Sequence, residues 1–535
     1  MAKRKNRTPV MARHPTAAVS LQKFKNSGYS GGGASHSKTT LMAYNPIKSS
    51  PQADVDANLT TLRNRSYDLH CNSPVGAAAN NRSRTSVIGA GLRVSPKVDY
   101  HTLGITAEEA KAWQRNTLRE FEMWAKSTAC DLYRKHNFYD MQDIAYLSQL
   151  IDGDAWAALK YRKPLPNNPY CLRIQLFESS RVCNPDSVSA YGELSYFNVE
   201  TRNTANGNRI LNGVEIDGDG AVVAYWVANR IPFDLINPAK LLSWSRVEAY
   251  GRRTGRPNIL QVSHEERPEQ YRGVPYVSPI IETLKQVSRY IGAELTAANI
   301  KAFFTLFFTS QSGENDMFHV VDDTFSYDEK REALQGINLG SGSVNLLPDG
   351  VDVKAIDGSR TMSTFEPFTN QLISLMGAAI GIPFEVLTSH FTSSYSAARA
   401  ALLQAAENFK TRRTWFARDF CQPIYEAWLA EAIAIGRIKA PGYGTDPLIT
   451  EAWSKAEWFG PVMGMIDPVK EVNGAALRIK YGLSTGEREA AELTGTDYDD
   501  NVSQIAQEAA VWRANNLEVP KADNTGGQGG EKNEQ

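Results

Sequence analysis

Cysteine is scarce in this 535-residue chain. The five present (Cys71, Cys130, Cys171, Cys183, Cys421) are scattered, and none stands in a C-x-x-C pair. Zinc ribbons and dithiol redox motifs are therefore excluded, and a reducing compartment suits the chain best. Long apolar runs are missing too. The most apolar stretch, AFFTLFFTS at 302–310, is too short to span a bilayer, and Glu294 and Lys301 precede it. No apolar segment backs the basic N-terminus, which excludes a secretory signal and points to a protein made and used in a cytoplasm. Net charge is nearly absent at −1, so no global field marks a nucleic-acid or membrane partner. Acid is absent from the first 53 residues, which hold nine Lys/Arg. The first acid is Asp54. A basic arm on an acidic body suits a tail that touches polyanions or acidic partners. A solvated leader without structure accounts for it as well.

What is present is ample for a core: 42% of residues are hydrophobic, and the length suits several domain-sized units. Residues 1–50 carry no hydrophobic period and read as disordered. Helices are expected at about 55–70 and 74–87. A β-like VIGAGLRVSP comes next, then an amphipathic helix opened by a Thr106/Glu109 capping box, with Leu118, Phe121 and Trp124 at helical spacing. A further helix covers about 140–151. Strand-like AWAALKYR and CLRIQLF follow, and GVEIDGDGAVVAYWVANR reads as a hairpin turning at Asp217–Gly220. A long helix is expected over 279–310, with Ser278 as N-cap and one face of Leu284, Val287, Ile291 and Leu295. Short strands (SVNLLP, VDVKAI) precede a helix at about 367–380, stopped by Gly381 and Pro383. From Ser396 to Gln422 there is no Gly or Pro. Heptad-like Leu402, Phe409 and Phe416 mark a very long helix, kinked at Pro423 and resuming to about Ile435. Helices over 468–515 and a polar tail from Pro520 complete the chain.

Several motifs fail on inspection. Gly32 to Thr39 reads G-x-x-x-x-S-K-T, with Ser37 where a phosphate-binding loop needs glycine, no buried strand before it, and Pro46 soon after. HEERP at 264–268 has Pro268 where a zinc-protease helix needs a second histidine. DGDG at 217–220 lacks the further oxygen donors of a calcium loop. DYDD at 497–500 places carboxylates at a helix start, where they suit its dipole. The eight histidines are dispersed, so nothing demands an enzyme, a cofactor or a metal. Arg399, Lys410, Arg412, Arg413 and Arg418 on the long helix suit either subunit contacts or a solvated face.

One segment is more specific. HEERPEQYRGVPYVSP contains Arg267, Pro268, Gln270, Arg272, Gly273 and Pro275 in the order R-P-x-Q-x-R-G-x-P. It resembles a segment of the lambda-type portal proteins of tailed bacteriophages. CNSPVGAAANNRSRTSVIGAGLRVSP, the 377–413 stretch entering the long helix, WLAEAIAIGRI, and FGPVMGMIDPVKEVNGAALRIKYGLSTGEREAAELTGTDYDD resemble other parts of that family in the same order. The likeness covers roughly 45–515. Glu269 stands where the family usually has Gly, and TSHFTSSYS lies where such loops vary.

The resemblance implies an α+β fold with wing, stem, clip and crown regions, and long helices around a central channel. It also implies a homo-oligomeric ring, commonly of twelve subunits, at one capsid vertex, through which double-stranded DNA enters and leaves. A separate terminase supplies the ATPase. The implied partners are the terminase large subunit, a head-completion or adaptor protein, and the major capsid and scaffold proteins. The implied location is the virion, after assembly in the host bacterial cytoplasm. On that template the chain divides into an arm (1–50), a mixed wing (51–276), a first stem helix (277–312), a clip (313–362) and a second stem helix (363–383). A tunnel loop (384–396), a long kinked helix with its connection (397–467), a helical crown (468–519) and a tail (520–535) complete it. Thr388, Ser389, His390, Thr392, Ser393, Ser394 and Tyr395 would face DNA in the tunnel loop. Hydroxyls there can touch phosphates without the salt-dependent grip of Lys or Arg. A nucleotide-dependent packaging enzyme and a capsid scaffold or adaptor remain the alternatives.

Overall fold

The computed structural model describes residues 39–41, 43–44, 46–185, 200–232, 242–302, 306–308, 344–346, 362–391, 395–462, 468–496 and 498–517. Gly32, Ser37 and Lys38 of the phosphate-loop lookalike, the VDVKAI strand, most of the 313–362 segment, Asp497 and the 520–535 tail lie outside them, as do Thr392, Ser393 and Ser394. Residues 1–50 and 51–535 are separate compact units. In the first, the Tyr44 N–H donates to the Leu41 carbonyl in a turn.

The second unit opens with a π-helical turn (Gln52–Asp56), then α1 (Leu59–Asn72) and α2 (Pro74–Val87). Ser73 caps α2, with Pro74 at its first position. β1 (Arg93–Pro96) and a short α3 (Tyr100–Leu103) lead to α4 (Ala107–Ala125), which starts at the expected box. Thr106 Oγ1 accepts from the Glu109 N–H (3.2 Å), and the Glu109 carboxylate accepts from the Thr106 N–H (2.8 Å). α5 (Phe138–Asp152) repeats the device with Asn137 and Asp140 and ends at Gly153, whose φ is +87°.

Two sheets follow. β2 (Asp154–Tyr161) lies between β3 (Leu172–Phe177) and β9 (Ile259–Ser263), antiparallel to both. β4 (Glu200–Arg202), β5 (Arg209–Leu211), β6 (Val214–Ile216), β7 (Val222–Ala228) and β8 (Trp244–Glu248) form an antiparallel meander. The β6–β7 turn is the expected hairpin: the Asp217 carboxylate accepts from the Asp219 and Ala221 N–H groups, so it closes the turn itself.

α6 runs over Ile281–Ala302, shorter at both ends than the sequence predicts. Ser278–Ile280 form a 3₁₀ turn, so Ser278 is not an N-cap, and its buried hydroxyl has no hydrogen-bond partner among the described residues. After 302 the aromatic run turns to strand: β10 (Leu306–Phe308) pairs parallel with β11 (Val344–Leu346). Phe and Thr suit a pleated surface better than a helix, which explains the early end. Only half of the expected α6 face is buried. Leu284 and Val287 lie in the core, whereas Ile291 and Leu295 are exposed. α7 (Met362–Ile380) mirrors this. Its C-terminal Ile373, Met376 and Ile380 are buried, and Phe368 and Leu375 are exposed. Tyr290 of α6 meets Phe365 and Phe368 of α7 at ring distances of 5.5 and 5.4 Å. The two helices thus run antiparallel from the core toward the segment that joins them.

α8 (Phe384–Thr388) follows the Gly381–Pro383 stop. The first five residues of the expected tunnel loop are therefore helical, because Pro383 pre-sets the entry to a turn. α9 (Tyr395–Phe416), a π-helical turn (Ala417–Cys421) and α10 (Gln422–Ala434) form the long helix. Pro423 falls in the first turn of α10. The widened π turn just before it absorbs the hydrogen bond that proline cannot donate. α11 (Pro447–Ser454) precedes β12 (Ala456–Phe459), which pairs antiparallel with β1. α12 (Pro468–Lys480), α13 (Gly486–Leu493) and α14 (Tyr498–Ala514) end the described chain. The fold is α+β.

The main core gathers around Phe121, Trp124, Phe138, Phe420, Tyr425 and Trp428, all but inaccessible to solvent. Phe121 meets Trp428 edge-on at 5.0 Å and Tyr425 at 5.5 Å. Edge-to-face pairs of this kind add to simple burial.

Candidate functional site: the arginine node, the loop after α8 and the C-terminal helices

The segment carrying the sequence motif crosses the ends of α5 and β2. Gly153 and Gly273 face each other there: a Cβ on Gly273 would lie 1.9 Å from the Gly153 carbonyl oxygen, and one on Gly153 2.4 Å from that of Gly273. Neither position accepts a side chain. The Tyr276 N–H donates to the Leu150 carbonyl at 2.9 Å, pinning the segment beyond Gly273 to α5.

Arg272, fully buried, is the centre of this crossing. Its guanidinium holds Asp154 through Nε (2.6 Å) and Nη2 (3.2 Å). Nη1 donates to the carbonyls of Val182 (2.8 Å) and Asn212 (2.5 Å), and the group lies 5.3 Å from the Trp156 ring centre. Arg63 of α1 reaches the same Asp154 oxygen at 2.8 Å and donates to the Asp152 carbonyl at 2.8 Å. Arg272 therefore ties the motif segment to β2, the 179–182 turn and the β5–β6 turn, and Arg63 joins α1 to the same Asp154. Burial opposes the charge on Arg272, but Asp154 outweighs it and holds the guanidinium protonated. Burial likewise opposes ionisation of Asp154, and Arg272 with Arg63 keeps its carboxyl below the usual range. Burial pushes Asp56 up to about 6 despite Arg272 nearby, and Asp152 up to about 6 despite Arg63.

The other motif residues support this node. Gln270 accepts from the Glu266 N–H (3.2 Å) and donates to the Arg272 carbonyl (2.8 Å). Arg267 pairs with Asp54 at 2.6 Å. Pro268 precedes Glu269, whose φ is +63°. That left-handed conformation favours glycine over a residue with a side chain. Pro275 precedes the 3₁₀ turn that starts α6, and its carbonyl accepts from the Ser278 N–H. The motif is a structural junction, and the structure brings all six residues to it.

The sequence reading passed over the partners. Asp154 and Arg63 carry no motif. Their one signal is an acid opening an otherwise apolar strand, DAWAAL. It also passed over Glu215 on β6, whose buried carboxylate accepts from Asn203, Asn206, Asn208, Trp226 and Arg246. Burial opposes its ionisation, but Arg246 and the amide donors prevail and hold the carboxyl at about 2.

Of the predicted tunnel-loop residues, three are described with their side chains. Thr388 closes α8, its hydroxyl donating to the Phe384 carbonyl (2.8 Å) and accepting from the His390 N–H (3.3 Å). Ser389 takes the left-handed conformation at φ +58°. Ser389, His390 and Phe391 are exposed, and Tyr395 begins α9. Arg82 of α2 donates to Ser389 Oγ, so the described part of the loop has a guanidinium beside its hydroxyls.

The five cations of the long helix have partners within the chain. Arg399 pairs with Glu471 of α12 (3.3 Å), and Lys410 with Glu492 of α13 (3.4 Å). Arg413 donates to the carbonyls of Ser86, Val87 and Pro461, where it closes the C-terminal end of α2. Arg412 lies 4.3 Å from the Tyr276 ring centre, and Arg418 pairs with Asp419. Lys97 pairs with Glu487, and Lys111 with Asp499 at 2.9 Å. Between α9, β12 and α12–α13 a cleft of about 1680 Å³ remains. The C-terminal helices are thus held to the body largely by charge pairs across an open cleft.

Among the described residues no cluster of His, Cys, Asp and Glu could hold a metal, and no helix is long and apolar enough to cross a membrane.

Comparison with known proteins adds identity to this geometry. The chain is 25% identical over 524 residues to the portal protein B of Escherichia phage lambda, covering 95% of this chain and 93% of that protein. It is 26% identical over 529 residues to the portal protein of Escherichia phage N15, covering 95% and 94%. Likeness over 95% of the chain leaves out fewer residues than the fifty of the arm, so it reaches further toward the N-terminus than the motifs suggested. Among solved structures, a chain from the neck of a native gene transfer agent particle, computed with C12 symmetry, is 10% identical. The match covers 81% of this chain and 92% of that one, at a TM-score of 0.38. That likeness adds nothing to the assignment, which rests on sequence. The family model for phage portal proteins of the lambda family matches residues 37–413. The chain belongs to the lambda family of phage portal proteins.

Proposed function

We propose that this chain is the subunit of a ring at the unique capsid vertex through which viral DNA is packaged and later ejected. The ring docks a terminase and head-tail connector proteins, and itself hydrolyses nothing. Family membership over residues 37–413 carries this reading. α6 and α7, antiparallel and half out of the core, suit paired stem helices with residues 303–361 as the clip. The 389–394 loop between α8 and α9 suits the tunnel loop, with Ser389 and His390 toward DNA. Arg82 then sets how strongly that loop holds phosphate, since one cation adds one salt-dependent contact and no more. The 51–276 segment is the wing, and α12–α14 the crown. The ring contains about twelve copies in heterologous contact, the arrangement that closes when the rotation between neighbours divides the circle. Assembly takes place in the host cytoplasm, with capsid and scaffold proteins, before incorporation into the virion.

The test is packaging by full-length protein with the 389–394 loop shortened, alongside ATP turnover. Intact rings with impaired DNA packaging or retention, and no ATP hydrolysis by the wild-type chain, support the reading. Normal packaging by the shortened loop overturns the loop assignment. ATP hydrolysis lost in Lys38→Ala overturns the conduit in favour of a packaging enzyme.

A further inference from the structure

α14 is 17 residues long, and none of them is buried. Tyr498, Val502, Ile505, Ala509 and Trp512 recur at spacings of four and three, the seam of a helix that packs against another helix. Ile505 is 62% exposed and Val502 46%. α12 carries a second seam: Val469, Val472, Ala476, Ile479 and, just beyond its end, Leu483. Val469 is 70% exposed and Leu483 74%. Water-facing seams of this length are not self-supporting, because most helix stability in proteins comes from packing an apolar face. The tethers of these two helices to the body are polar: Glu471 of α12 pairs with Arg399, and Asp499 of α14 with Lys111. That is the reverse of a helix folded onto its own core.

The two seams are unlike but matched. At 1.5 Å per residue each runs for roughly 20–25 Å. α12 bears Lys470, Arg478 and Lys480 against one acid, Glu471; of these Arg478 is held by Glu489 of α13 and Glu471 by Arg399, which leaves an excess of base. α14 bears Asp499, Asp500 and Glu508 against one base, Arg513; Asp499 is held by Lys111, which leaves an excess of acid. One chain therefore carries both halves of a heterotypic contact, with opposite charge on each. We propose that the α14 seam packs on the α12 seam of the neighbouring copy. Repeated around the assembly, this contact is heterologous and closes with the ring. The proposal rests on the ring reading and locates one of its subunit interfaces.

Cross-linking of the full chain tests it, with the exposed Cys71 changed to Ser. Ile479→Cys and Ile505→Cys are made singly and together. With a short bis-maleimide, co-expressed single variants give a mixed dimer while neither alone does, and the double variant gives a ladder rising toward the ring. Both isoleucines are exposed, so melting temperatures matching the parent are expected and are checked first. A dimer from Ile505→Cys alone means a like-with-like contact and overturns the proposal. A cross-link confined within one chain, or to a scaffold protein, overturns it as well. Rings by mass without any cross-link overturn this contact and leave the ring reading standing. Monomers by mass overturn both.

Discussion

α10 and α14 are built from similar residues, each with a tryptophan, a tyrosine, an isoleucine and several alanines, yet they end in opposite environments. α10 buries seven residues, including Tyr425 and Trp428, whose rings meet Phe121 of α4; α14 buries none. The difference lies in arrangement. α10 is apolar nearly all round, as a helix in the middle of a core must be. α14 lines up Tyr498, Val502, Ile505 and Trp512 on one seam, with Val511 and the carboxylates off it. The anchors differ accordingly: aromatic rings edge to face in one case, solvent-exposed ion pairs across a cleft in the other. Exposed pairs contribute about 0–1 kcal/mol each. The body therefore holds the folding energy of the subunit, and the C-terminal helices keep their apolar surface for assembly.

The strongest way to break the body is at its polar centre. Arg272→Met leaves Asp154 buried without its main partner, and such a loss costs about 3–5 kcal/mol. Urea unfolding reads this as a lower midpoint, and an unchanged midpoint rules out the node as the junction of the fold. Trp428→Ala removes a core ring at a cost of about 3–5 kcal/mol, whereas Trp512→Ala shifts subunit stability by about 0.5 kcal/mol or less. Equal losses in the two variants dissolve the contrast between the helices. Glu215→Gln sharpens the picture through pH. The wild-type carboxyl is depressed from 4.5 to about 2 in the folded chain, so its contribution is present above 4.5 and fades as pH falls toward 2. The variant is less stable than wild type at pH 7, and the gap narrows on acidification below 4.5. A gap independent of pH contradicts the charge-assisted account. The smallest effect is at the tethers: Lys410→Ala costs about 0–1 kcal/mol, less at high salt. A larger, salt-independent loss means that α13 is packed rather than tethered.

Local signals read well from the sequence. The Thr106/Glu109 box, the Asp217 turn and the Gly381–Pro383 stop each satisfy backbone groups within a few residues, so their residue types suffice to locate them. Long-range features did not. β1 pairs with β12 across more than three hundred residues, and neither four-residue strand announces its partner. α6 ends where aromatic residues favour a strand, a choice made by pairing with β11 rather than by periodicity. In the motif, Arg272 and Gly273 were identified, but their roles depend on Asp154, Gly153 and Arg63, brought in from α1, α5 and β2. The cations of the long helix looked equally suited to neighbours or water. Arg418 pairs with the adjacent Asp419, but the partners of the other four, the α2 carbonyls, Tyr276 and α12–α13, lie too far along the chain for any local pattern to reveal.

The central claim is that this chain completes itself as a ring. Electron microscopy of the purified full-length protein, with mass determination of the same sample, tests it most directly. The account predicts particles with a central hole and a mass near about twelve times the 59.2 kDa subunit. Compact monomers or dimers without a hole, under conditions where the chain is folded, would contradict it.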